Sequence, residues 1–151
     1  MAMDNSTDAP ASFLAFLGRI LLALIFVLGG INKLDGGVAA TASNMASHGI
    51  PYSNILVWGV VALELGGGLM LMAGLLTRWI SAALFFYTVA LALIFHPYWT
   101  FPAAAARTQH AFFYEHVAML GGFLYVIAYG AGAWSLDALT WRRRSAPVPA
   151  E

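Results

Sequence analysis

Charge is nearly absent from four long stretches of this 151-residue chain, and that constrains its fold more than any motif does. Residues 13–31 are apolar apart from Arg19, and residues 54–76 apart from Glu64. Residues 79–95 hold no charge, and residues 112–134 are broken only by Glu115 and His116 near their start. Each stretch meets the ~17–25 residues an α-helix needs to cross a hydrocarbon layer ~30 Å thick. None has the polar face of an interfacial helix or the period-two alternation of a barrel strand. The composition, 61% hydrophobic and 9% charged, is far too apolar for a water-soluble domain, where the values are roughly 45–50% and about 25%. The expected fold class is therefore all-α, a polytopic membrane protein built as a four-transmembrane-helix bundle. One domain is expected over residues 13–141, with a disordered lead at 1–12 and a basic, then disordered, tail at 142–151.

Seven basic and seven acidic residues balance, so the chain has no polycationic footprint and no nucleic-acid partner is expected. The absence of cysteine excludes thiolate nucleophiles, disulfide relays and Cys-ligated metals. The first apolar run lacks a basic leader and is long for a signal peptide, so it reads as a retained span. Arg78 and the Arg142, Arg143, Arg144 cluster fall on the side of the termini, against Lys33 and Arg107 opposite. That bias predicts N-in and C-in. Two outer loops follow. In the first, Asp35-Gly36-Gly37 would start a short helix through Ser47, ended by Gly49 and Pro51. The second, residues 97–111, carries the interfacial aromatics Tyr98, Trp99 and Phe101.

Charges at depth are the next signal. At about 1.5 Å per residue, Glu64 lies roughly 15 Å below the outer surface and Arg19 roughly 18 Å. Each alone would cost about 2.5–3.5 kcal/mol to insert, so an Arg19–Glu64 ion pair is expected near the midplane. It would either fix helix register or take part in chemistry. Gly67 and Gly68 share the face of Glu64 and allow close helix approach. Arg19, Ala23, Phe26, Gly30 and Lys33 form one inward stripe. A second polar layer, of Asn32, Lys33, His96, Glu115 and His116, lies at the outer helix ends, where such residues can also be simple anchors. His48 and His110 are assigned no role. No His-x-x-x-His or Glu-x-x-His spacing appears, so no metal site is expected and a haem is disfavoured.

Several motifs resemble the DoxX family of membrane proteins. Gly18-Arg19, Phe26 and Gly29-Gly30-Ile31-Asn32-Lys33-Leu34 look like its opening. Glu64-Leu65-Gly66-Gly67-Gly68-Leu69, continuing to Gly74-Leu75-Leu76-Thr77-Arg78, resembles its second-span signature. Gly130-Ala131-Gly132-Ala133-Trp134-Ser135-Leu136-Asp137 resembles its closing motif, and His96 and His48-Gly49-Ile50-Pro51 also fit. The resemblance covers residues 14–139. It implies a four-span protein, in the lipid bilayer of a bacterial inner membrane, from a family often described as oxidoreductases. Members are linked to thiosulfate:quinone oxidoreduction, redox stress, or quinone and catechol detoxification. Related methylamine-utilisation proteins act near disulfide chemistry, which this cysteine-free chain cannot perform itself.

Two functional classes follow. As an oxidoreductase component, the bundle would hold a quinone headgroup between its inward faces, and no other cofactor is indicated. Arg19, Lys33, His96 and Asn32 would bind the ring, and Glu64, Glu115 and His116 would move protons. Phe26, Tyr98 and Trp99 would cover it. Electrons would come from a soluble or membrane redox partner. As a non-catalytic scaffold, the protein would use its buried charges for register and its loops for docking. Either class is compatible with a homo-oligomer.

Overall fold

The computed structural model describes residues 8–144, and among these it contains helices and turns but no strand. Four helical segments are long and apolar enough to span a membrane. The first, α1 (Asp8–Asn32), begins before Phe13, so part of the expected disordered lead is helical. A break at Lys33–Gly37 follows, where Gly36 takes φ +88°, a conformation that suits a residue without Cβ. Then comes α2 (Val38–Ser47), the short helix expected in the first loop. The second span consists of α3 (Ser53–Val61), a wide turn at Ala62–Gly67 and α4 (Gly68–Ala73). The third is α5 (Thr77–Phe95). The fourth, α6 (Ala103–Tyr129), is succeeded by α7 (Leu136–Arg144), whose last turn holds the arginine cluster. The expected tail beyond Arg144 lies outside the described residues.

The fourth span departs most from expectation. It begins at Ala103 rather than Phe112, and it ends at Tyr129 rather than Trp134. Four consecutive alanines after Pro102 favour helix regardless of lipid, so most of the expected second loop is helix. At the other end Gly130 and Gly132, with φ +81° and +76°, break it. Only a short turn, Tyr98–Thr100, remains between α5 and α6.

Side-chain contacts fix the relative heights. Arg78 reaches the carbonyl of Ala128 at one end of the α5–α6 pair, and His96 packs on Phe112 at the other. The stretch before Phe112 therefore rises roughly 13 Å beyond the end of α5. The core between the spans is Ala23, Phe26, Leu71, Leu84 and Phe123. Close approach rests on two glycines: a Cβ at Gly30 would lie 2.8 Å from the backbone nitrogen of Leu65, and one at Gly68 would lie 3.1 Å from that of Val27. Leu14, Leu21, Ile25, Phe86, Leu93 and Leu124 point outward, as lipid-facing residues of a bundle should.

Candidate functional site

The expected Arg19–Glu64 pair does not form. Arg19, 2% exposed, turns toward the end of the bundle that carries the termini. There its Nη2 donates to the carbonyls of Met72 (3.2 Å) and Trp134 (2.8 Å), and its Nη1 donates to that of Ala131. These carbonyls belong to the last turn of α4 and to the chain just after α6, where helix ends leave acceptors without intrahelical donors. A planar guanidinium can satisfy several at once. Counting depth from one surface missed this, because both helix ends descend to the level of Arg19. Asp137 completes the clasp. Its carboxylate accepts the Leu76 and Thr77 amides that open α5, at 2.8 and 2.9 Å, while its own amide donates to Gly74. Burial would raise the Asp137 carboxyl, but these amide donors and the charge of Arg19 outweigh it and hold the pKa below its ordinary value. The closing and second-span motifs thus meet in a structural fastener, and Arg19 lies outside the cavity described next.

Glu64 finds other partners. Lys33 Nζ lies 2.6 Å from its Oε2, and the Tyr87 hydroxyl donates to its Oε1 at 2.5 Å. The wide turn Ala62–Gly67 carries Glu64, which is 5% exposed. Wide turns of this kind often occur at functional sites. Gly29 leaves room for the pair, since a Cβ there would sit 3.1 Å from Oε2.

A cavity of about 560 Å³ opens above this network, toward the end of the bundle opposite the clasp. Lys33, Glu64 and Tyr87 line its deep part, Thr41 and Asn44 line the α2 wall, and His96 and His116 also line it. The two imidazoles stand 5.1 Å apart between centroids. His116 Nδ1 lies 2.7 Å from the Phe112 carbonyl and His96 Nδ1 lies 2.7 Å from Gln109 Oε1. The Phe112 carbonyl can only accept, which puts the proton of the neutral His116 ring on Nδ1 and leaves its Nε2 as an acceptor.

Of the residues singled out from sequence, Lys33, Glu64, His96 and His116 line this cavity, whereas Arg19, Asn32 and Glu115 do not. Asn32 and Glu115 are exposed. Nor do the expected aromatic covers line it. Phe26 is buried against Tyr87 and Phe123, and Tyr98 and Trp99 stack on each other and on Phe113. Tyr87 was missed because only charges were weighed at depth. Its signal was a hydroxyl nine residues before His96, hence roughly 13 Å down and level with Glu64. Among the described residues, no group of three or more His, Asp or Glu side chains could hold a metal ion.

The sequence matches the DoxX family over residues 14–97. It is 32% identical over 129 residues to Inner membrane protein YphA of Escherichia coli (strain K12), covering 85% of this chain and 91% of that protein. It is 34% identical over 125 residues to Inner membrane protein YqjF of the same organism, covering 82% and 88%. No solved structure matches. With the family matched over more than half of its length and both relatives aligned along most of theirs, the chain belongs to the DoxX family of membrane proteins.

Proposed function

We propose that the cavity binds a quinone headgroup and that the protein is the membrane component of an oxidoreductase, with electrons supplied by a partner. The observation that carries this reading is the part-buried Lys33–Glu64–Tyr87 network, which opens into a cavity edged by His96 and His116. Reduction of a quinone adds two electrons and two protons. The electrons come from the redox partner. The protons need a path from water to a ring held in lipid, and intramembrane ionisable chains are the usual device. Lys33 retains N–H donors beyond the one given to Glu64, and these polarise a ring oxygen. Tyr87 and Glu64 pass a proton inside, and His96 and His116 collect it at the aqueous edge.

The test is quinone binding by purified wild type, Glu64→Gln and His116→Ala. Binding that both substitutions weaken supports the assignment, whereas no binding, or binding that neither changes, removes it. One observation favours a second reading, a non-catalytic scaffold: Arg19 and Asp137 join helix ends. A stoichiometric protein partner recovered in mild detergent without bound quinone would support that reading.

A further inference from the structure

The cavity has an opening in its side as well as a polar floor. Its α5 wall is the stripe Tyr87, Ala90, Leu91 and Ile94, residues that share one helix face. Across from it, Ala40 and Asn44 belong to α2. The main packing partners of α5 are α6 and, lower down, α4 and the wide turn. Above the gap Phe95 packs on the α2–α3 cluster and stacks on His48 at 4.7 Å. This leaves a window framed by Phe95 above, the Glu64 turn below and two alanines at its sides. Ala40 and Ala90 are exposed, and Ile94 is 38% exposed. Ala90 lies roughly 9 Å below His96 along α5, a depth at which the outside of the bundle meets hydrocarbon rather than water.

We propose that this window admits a membrane-dissolved ligand, a polar ring headgroup on a single apolar chain. The head lies at Lys33, Glu64 and Tyr87, and the chain leaves between Ala40 and Ala90 into the bilayer. The inference rests on the headgroup reading above and adds the route and the shape of the ligand. The volume fits: about 560 Å³ is an ordinary size for a small-molecule site, enough for a ring and the first carbons of a chain. The remainder of a long chain has to pass through an opening, and the opening lies at the depth where such a chain is soluble. The smallest side chain with a Cβ stands on each side of it.

The experiment uses the full chain in lipid nanodiscs and two ring-matched benzoquinone probes, one without a chain and one with a decyl chain. Ala90→Phe fills the window from α5 and Ala40→Phe fills it from α2. Leu93→Phe, on the lipid-facing side of α5, is the control. Each window variant should weaken decyl-probe binding by about tenfold or more, the equivalent of a few displaced methylenes, and leave the chainless probe within about twofold. Leu93→Phe should change neither. Equal effects on both probes, or no effect from either window variant, would overturn the window. If neither probe binds wild type, the headgroup reading itself fails and the window falls with it. Using both sides keeps the test decisive if one variant does not fold.

Discussion

Lys33 reaches back along its own helix to place its ammonium 2.6 Å from the Glu64 carboxylate, in space that Gly29, one turn earlier, leaves empty. Opposite charges with so little exposure depend on each other. Either one left alone keeps its desolvation cost and loses its compensation. Lys33→Met or Glu64→Gln alone should therefore destabilise the protein by about 3–5 kcal/mol, and the double variant by less than the sum. Thermal unfolding of all four species in one detergent gives the cycle. Additive losses would mean that water already screens the pair.

The glycines give a sharper contrast. At Gly30 a Cβ would collide with the backbone of Leu65, whereas at Gly66 it would meet nothing within 4 Å. Gly30→Ala should force α1 away from the second span and cost about 1–3 kcal/mol, as overpacking does. Gly66→Ala should be neutral or stabilise by up to about 1 kcal/mol through helix propensity. Comparing the two melting temperatures checks the packing directly, since the same methyl is added a short distance apart.

Asp137 makes the clasp sensitive to acid. Its folded pKa lies below its unfolded value, so its contribution is present above the unfolded pKa, about 4, and is lost as pH falls through the folded one. Wild type should lose melting temperature on acidification from about pH 5 to about pH 3, and Asp137→Asn should lose less over that interval. At neutral pH the variant should be less stable by about 1 kcal/mol, the scale of a lost helix cap. Parallel slopes for both proteins would place the acid sensitivity elsewhere.

Topology is a fourth test. The Phe13 and Phe16 rings pack on Trp134, so the start of α1 and the entry to α7 share one end of the bundle. The arginine bias predicts that this end is cytoplasmic. Reporter fusions at both termini should give cytoplasmic signals, and a signal from opposite sides would contradict the four-span arrangement.

The spans were legible because hydrocarbon imposes a length and forbids stray charge, which a count along the chain detects. The ends of α6 were not: Ala103–Ala106 are helical for reasons of propensity, which hydropathy does not weigh. That Glu64 is buried and needs a cationic partner was also legible, but which partner was not. Depth assigns a layer without a direction. Arg19 and Lys33 lie on one stripe of α1, and the positions of the α4 and α6 termini decide which of them turns toward Glu64. Tyr87 was hidden by its aromatic ring, which reads as core until its hydroxyl is placed beside a carboxylate.

The clasp has a mechanical consequence. Arg19, Arg78 and Asp137 tie α1, α4, α5 and α6 with the chain after it together at one end of the bundle, while in the other half a cavity lies between α5 and α2, with Phe95 joining them above it. A bundle fastened at one end and hollowed toward the other is built differently for the two leaflets: one half is cross-linked by side chains that reach helix ends, and the other keeps space between its helices.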